Sequence, residues 1–425
     1  MAFELETDLP PDALALAERL SDRDAPVVFW SGSVAYLACD PVEVRASLDP
    51  EPSLALGKLE HGEIPRWFGL IPYEARRSLE RSFKSDPRPA PSLCEPCWRR
   101  YEAVAEISNK VRIVGDDSNV THELLSRLRL PTPARRAATA RLRAPMEAAR
   151  VHEQRVRRAL ELIARGEIYE VNLARVLELD VTGSAFELLA ALTRDGLPPH
   201  AAAFEWPELR VAAASPELLL RLEPSGRVWT SPIKGTRPRS RDAAADRAAM
   251  LELDADPKER AELAMVIDVE RNDLGRVARP GSVVLERPPA VVSLPTVHHR
   301  VATVAAELER PFGRERLLQS MLPSGSVTGA PKIRAMEVIA ELEASRRGLY
   351  TGGFGIVRRD GGLELSMAIR TLTARGSEAQ YWTGGGIVAD SVPEREVEET
   401  LWKARGVLDW LGSAAENWAQ LGLRP

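Results

Sequence analysis

The chain has 425 residues, 44% hydrophobic and 28% charged, which are the proportions of an ordinary soluble globular protein. Its net charge of −5 argues against a nucleic-acid grip, and no apolar run approaches the ~18–20 residues of a membrane span. The acidic MAFELETDLPPD start lacks the features of a signal peptide, and Cys39, Cys94 and Cys97 are too few for a disulfide framework, so a cytoplasmic protein is expected.

Residues 1–130 mix short strand-like runs (PVVFWSG, SVAYLAC, RWFGLIPYE, VRIVG) with proline-rich stretches, and show no catalytic constellation. Cys94 and Cys97 form a lone CxxC without a second pair, a weak signal for metal or redox use. PTPARRAATARLRAP (131–145) has linker composition and divides the chain into an N-terminal region, 1–145, and a region carrying the chemistry, 146–425. From about 147 an amphipathic helix runs to Gly166, a natural C-cap, and a strand-like IYEVNLARVLELDV follows.

Fifty of the 57 basic residues are arginine, so the seven lysines stand out. Unlike a guanidinium, an amine can lose its proton and act as a nucleophile. Lys234, Lys258, Lys332 and Lys403 all fall in the segments that carry chemistry. In SPELLLRLEPSGRVWTSPIKGTRPR (215–239), strands over 217–222 and 227–233 join through a turn at Glu223–Gly226. That register brings Glu217 near Pro232 and within about two residue steps, at roughly 3.3 Å each, of Lys234. The two form either an acid–nucleophile pair or a surface ion pair. KERAELAMVIDVERNDLGR (258–276) puts Glu262 on a helical stripe with Val266 and Val269, where a buried carboxylate requires a cation or an outlet to solvent.

MLPSGSVTGAPKIRAMEVIAELE (321–343) reads as a loop aimed at a helix whose first turn holds Pro331 and whose apolar face holds Ile333, Met336, Ile339 and Leu342. Such a loop suits an anion, or simply caps the helix. LELSMAIRTLTA (363–374) alternates as one strand, with Leu363, Leu365, Met367 and Ile369 on one face and Arg370 on the other. TGGGIVADS (383–391) reads as a glycine loop able to cradle a carboxylate or phosphate. The last helix, from about 394 to 411, carries an apolar stripe of Val397, Leu401, Ala404, Leu408 and Leu411, with Glu396, Glu399 and Lys403 on a different face.

Taken in order, SPE, PIKGTRPR, ERAEL…D..RNDLGR, VHH, GS.TGAPK.RAMEVI.ELE, IRTLTA and GGGIVADS.P..E.EET..KA resemble the chorismate-binding enzymes, across roughly 150–410. These include anthranilate, aminodeoxychorismate, isochorismate and salicylate synthases. The resemblance implies an α+β fold, a four-layer αββα sandwich of the anthranilate synthase component I and aminodeoxychorismate synthase type. It also implies chorismate as substrate and magnesium as cofactor, with Glu262 and Glu399 as ligands and Glu396 close by.

Within the family the lysine of PIKGT resembles the aminodeoxychorismate synthases, which serve para-aminobenzoate and folate biosynthesis, whereas anthranilate synthases usually read PIAGT. Lys234 is then the nucleophile, Glu217 the acid that protonates the departing C4 hydroxyl, and His299 a further catalytic residue. Gly235, Thr236, Thr328, Tyr350, Arg370, Gly384, Gly385 and Lys403 line the substrate pocket. Ammonia is expected from a separate glutamine amidotransferase subunit, because none of the three cysteines sits in a glycine-rich elbow. The alternatives are anthranilate synthase component I and a chorismate-binding subunit without activity. One departure stands out: Glu170 occupies the place where ammonia-using members usually have glutamine and water-using members a lysine.

Overall fold

PVVFWSGSVAYLAC folds as the sequence suggests, Val27–Ser31 pairing antiparallel with Val34–Ala38 across Gly32, whose φ of +64° suits a glycine turn. In this computed structural model the described residues are 2–52, 61–78, 86, 88–133, 137–144, 146–309 and 313–411. The linker expected over 131–145 lies partly outside them.

Among the described residues, twelve strands form one sheet. Its order is Phe3–Thr7, Val111–Gly115, Ala103–Ile107, Val34–Ala38, Val27–Ser31, His200–Glu205, Arg210–Ser215, Thr371–Arg375, Glu378–Ile387, Glu170–Thr182 and Gly329–Ala330, with Thr139–Leu142 also on Glu170–Thr182. Ten more form a second sheet, in the order Ile233–Pro238, Val297–Glu307, Arg227–Ser231, Leu218–Leu222, Leu363–Met367, Gly353–Arg358, Pro65–Ile71, Cys97–Arg100 and Glu43–Arg45, with Val284–Ser293 also on Val297–Glu307. Strands from 1–145 make one end of both sheets, so neither sheet stops at residue 145.

The two sheets meet over a dry core in which Phe354 stands edge-on to Phe29 and Phe204, each at 6.2 Å, and Phe68 to Tyr101 at 5.4 Å. Ala13–Glu18, Ala185–Leu192 and the last helix cover the outer face of the first sheet. Pro257–Gly275 and Arg314–Met321 cover that of the second. The architecture is therefore the αββα sandwich expected from the sequence.

Three elements differ from the sequence reading. LELSMAIRTLTA is two strands: Leu363–Met367 belongs to the second sheet and Thr371–Arg375 to the first. The chain crosses between them at Arg370, whose φ of +52° is uncommon for a side chain with a Cβ. The glycine triplet is not a loop but part of Glu378–Ile387. The GSVTGA segment is not an open cradle at a helix start. Gly329–Ala330 pairs with Glu170–Val171, Pro331 takes the N-cap position, and the helix Lys332–Leu342 leaves Ile333 exposed.

Arg347, fully enclosed, ties these pieces together. It forks onto both oxygens of Glu343 at 2.9 and 2.6 Å and donates to the carbonyls of Asn172 (2.7 Å) and Val327 (3.0 Å) and to Thr351 Oγ1 (3.1 Å).

Candidate active site

Glu170–Thr182 and Glu378–Ile387 run antiparallel with Asn172 opposite Gly386, Leu173 opposite Gly385 and Ala174 opposite Gly384. Each glycine clears room for a particular side chain. A Cβ at 386 would lie 2.3 Å from Glu170 Oε1 and 3.0 Å from Lys234 Nζ. At 385 it would come within 3.1 Å of Glu396 Oε2 and 3.4 Å of Glu399 Oε1, and at 384 within 2.9 Å of the Tyr350 hydroxyl. The glycine-rich strand is thus the floor on which a cluster of acids and amines converges.

Lys234 stands on Ile233–Pro238, where a bulge falls between Lys234 and Thr236. Gly235 takes that bulge at φ +76°, and a Cβ there would strike Leu253 at 2.6 Å and Glu259 Oε2 at 3.0 Å, so only glycine fits. Lys234 Nζ donates to Glu170 Oε1 at 2.6 Å and lies 3.9 Å from Glu262 Oε2. Burial acts to lower the lysine's pKa, but Glu170 and Glu262 outweigh it and hold the ammonium above its ordinary range. This differs from the partly deprotonated amine that a resting nucleophile requires.

The hairpin registers as expected, with Leu218 opposite Ser231 and Leu222 opposite Val228, leaving Glu217 beside Pro232. Glu217 is 4% exposed, and burial pushes its carboxyl up to about 8 even though Ser326 donates to its Oε1 at 2.9 Å. At neutral pH it is a neutral acid holding a proton. His299 is buried too, with Nδ1 3.1 Å from both the Gly235 carbonyl and Thr236 Oγ1. A carbonyl only accepts, so Nδ1 carries the hydrogen and the buried Nε2, with no hydrogen-bond partner among the described residues, keeps its lone pair. Burial first, then the Arg370 guanidinium, holds the imidazole down to about 4, hence uncharged.

The expected metal ligands converge from two helices, Glu262 from Pro257–Gly275 and Glu396 and Glu399 from Pro393–Leu411. The helix faces differ from the sequence reading, because Glu396 is as buried as the apolar stripe and Val269 is only half-buried. Burial lifts Glu262 to about 7, and burial followed by the neighbouring Glu399 raises Glu396.

Lys258 answers this charge from between two acids, its Nζ 3.7 Å from Glu262 Oε1 and 3.6 Å from Glu396 Oε1, while the buried Glu396 Oε2 has no hydrogen-bond partner among the described residues. Among the described residues no three His, Cys, Asp or Glu side chains close around a single metal position. Yet an orphaned oxygen, two carboxyls raised by burial and a cation already between them are the chemistry of a divalent-cation site. Magnesium typically takes only one or two protein carboxylates and leaves its other positions to water and ligand.

Lys403 Nζ bonds the Gly384 carbonyl at 2.8 Å and Glu399 Oε1 at 2.6 Å, holding Glu399 below the usual carboxylate range. Tyr350 stacks on Trp382 at 5.7 Å beside Gly384. Arg370 is half-buried and makes no ion pair among the described residues. Thr328 is enclosed and spends its hydroxyl on the Ser324 carbonyl at 2.8 Å.

The profile of the chorismate binding enzymes matches residues 38–409. The chain belongs to that family. Among curated chorismate-binding enzymes, anthranilate synthase component 1 of Thermus thermophilus is 39% identical over 82% of this chain and 78% of its own length. Aminodeoxychorismate synthase component 1 of Salmonella typhimurium is 37% identical over 84% and 78%. Anthranilate synthase component 1 of Aquifex aeolicus is 39% identical over 62% of this chain, which spans 53% of that protein's length. In structure, anthranilate synthase component I from Streptococcus pneumoniae TIGR4 superposes with a TM-score of 0.73 at 26% identity, covering 95% of this chain and 91% of its own. The menaquinone-specific isochorismate synthase of Escherichia coli shares the fold, with a TM-score of 0.74 at 20% identity and coverage of 97% and 94%.

Among these chorismate-binding enzymes the present site adds groups that the sequence reading did not place. Glu170 proves to be the partner of Lys234, Gly386 makes room for the pair, and Lys258 sits between Glu262 and Glu396. Lys258 left the i, i+4 spacing to Glu262 as a signal, and Glu170 stood out against the family pattern, though nothing in the sequence linked it to Lys234. No helix among the described residues is long and apolar enough to cross a membrane.

Proposed function

We propose that this chain is component 1 of an aminodeoxychorismate synthase, replacing the C4 hydroxyl of chorismate by an amino group. The observation that carries the reading is a lysine, Lys234, with its side chain only 10% exposed, in the same site as a buried neutral acid, Glu217. Lys234 passes its proton across 2.6 Å to Glu170, and the freed amine bonds to C2 of the ring. Both conjugated double bonds of the ring shift, the C4–O bond breaks, and the hydroxyl leaves as water with the Glu217 proton. Ammonia then bonds at C4 as an ammonium group, both double bonds return, and the C2–N bond breaks to release Lys234, which regains its proton from Glu170.

Lys403 and Arg370 answer the substrate carboxylates, and Tyr350 and the glycine strand shape the ring's seat. Glu262, Glu396 and Glu399 are the residues that would hold magnesium, which would supply positive charge for a substrate carboxylate. The designation component 1 among the relatives supports a second component, which we assign as the glutamine amidotransferase that delivers ammonia.

The test is to incubate the pure chain with chorismate, magnesium and ammonium and identify the product by mass. 4-Amino-4-deoxychorismate supports the reading. Anthranilate with pyruvate overturns it in favour of anthranilate synthase. One observation favours that second reading: Glu170 and Glu262 hold Lys234 as a cation. A lysine that never gave up its proton would leave ammonia to attack C2 directly.

A further inference from the structure

Each turnover written above removes one proton from Glu217 and leaves its carboxylate enclosed, so a proton must come back before the next chorismate reacts. Glu217 is 4% exposed, so little bulk water reaches it. It does have a line of hydroxyls. Ser326 Oγ donates to Glu217 Oε1 at 2.9 Å, Ser324 Oγ lies 3.0 Å from Ser326 Oγ, and Ser324 Oγ donates to Glu270 Oε1 at 2.6 Å.

Both serines come from the segment Ser324–Ser326, whose backbone is pinned when Ser326 N donates to Ser324 Oγ at 3.1 Å and Arg347 grips the Val327 carbonyl. Every member is enclosed, with Ser326 at 5%, Ser324 at 2% and Glu270 at 0% exposure. Beyond Glu270, Asp273 pairs with Lys332, whose side chain is 15% exposed and is the first of the series to reach solvent. Two acids and two hydroxyls buried in succession are expensive compared with an apolar filling of the same volume. A purely structural network would have no reason to end on the group proposed as the acid.

We propose that Ser326, Ser324 and Glu270 form a relay that returns a proton to Glu217 after the hydroxyl has left. Once Glu217 is ionised and Glu270 carries a proton, the Ser324 hydroxyl turns from Glu270 to Ser326; the Ser326 hydroxyl then gives its proton to Glu217 Oε1 and takes that of Ser324, which takes the proton on Glu270 Oε1. One proton moves from Glu270 to Glu217, both hydroxyls are restored with reversed orientation, and Glu270 is reprotonated from solvent before the next turnover. The acid at each end must be able to hold a proton near neutrality. Burial provides this, lifting Glu217 to about 8 and, with Asp273 adding to it, Glu270 to about 7. The relay residues touch no substrate; they act through Glu217, and the inference rests on the acid role assigned to it.

The test compares Ser326→Ala, Ser326→Thr and Glu270→Gln with wild type in kcat, in KM for chorismate and in the solvent deuterium isotope effect, after thermal unfolding has checked each fold. Ser326→Ala and Glu270→Gln are expected to lower kcat by about tenfold or more, toward the ~10²–10⁴-fold a general acid contributes, with KM unchanged and a larger isotope effect on kcat. Ser326→Thr, which keeps the hydroxyl, restores kcat. Glu270→Gln preserves shape and an acceptor for Ser324, so it decides the matter if the alanine variant unfolds. Folded Ser326→Ala and Glu270→Gln proteins with wild-type kcat, beside an inactive Glu217→Gln, overturn the relay and leave the acid in place. An active Glu217→Gln overturns the acid role, and the relay with it.

Discussion

Glu170 and Lys234 are 64 residues apart in the chain and 2.6 Å apart in the fold, and that contact is where the chemistry is decided. Glu170→Gln keeps the shape but removes the proton acceptor. If the carboxylate activates the lysine, ammonia-dependent kcat falls and the magnesium requirement is unchanged; if it only fills space, kcat holds or rises. Lys234→Arg abolishes turnover either way, since a guanidinium cannot attack, and denies the mass adduct on the Lys234 peptide that chorismate and magnesium leave in wild type without ammonium. Glu217, raised above its ordinary 4.5, keeps its proton up to about 8 and loses it above. The acid is therefore present at neutral pH and disappears as pH climbs, so kcat measured across pH should show a descending limb near 8. The grouping of Glu262 with Glu396 and Glu399 came from the family resemblance, whereas the approach of Glu217 to Lys234 was legible because a turn signal sets the hairpin register locally. The Glu170–Lys234 contact was not, because two strands of different sheets bring it about.

The Glu378–Ile387 strand shows why element type was harder to read than element position. Three consecutive glycines are poor strand formers, and a local reading makes them a turn. Crowding decides otherwise, since no side chain fits beneath Glu170, Lys234, Glu396 and Glu399. Gly386→Ala is expected to abolish most turnover by separating Glu170 from Lys234, while circular dichroism still reports the folded sandwich.

The LELSMAIRTLTA alternation misled for a related reason, as the apolar pattern runs on through the crossing and only the backbone at Arg370 marks it. The two amphipathic helices and the 217–233 hairpin were readable because a stripe or a turn signal defines each one locally. In the last helix, burial of Glu396 beside Lys258 predicts that chelation with EDTA ends turnover without lowering the melting temperature. The lysine keeps those acids compensated when no divalent cation is present.

Across the whole molecule, the αββα plan was legible only through family resemblance. Strand order is set by pairings between distant segments, which no periodicity reports. Val27–Ser31 pairs with His200–Glu205 in one sheet and Pro65–Ile71 with Gly353–Arg358 in the other. The N-terminal region therefore completes both sheets and supplies Phe29, Phe68 and Tyr101 to the core between them. Residues 146–425 expressed alone should show no cooperative thermal transition and should aggregate, whereas co-expression with 1–145 should restore both the transition and turnover.

The same strand order governs how the protein is made. Thr371–Arg375 and Glu378–Ile387 sit between Arg210–Ser215 and Glu170–Thr182, which leave the ribosome long before them. A nascent chain that has just passed residue 370 holds the first sheet in two halves, each with an open edge able to recruit a strand from a neighbouring chain. Synthesis of the glycine strand and the helix behind it closes that gap in the same step that finishes the substrate site. A prematurely terminated product is thus a hazard to solubility and never a partly active enzyme.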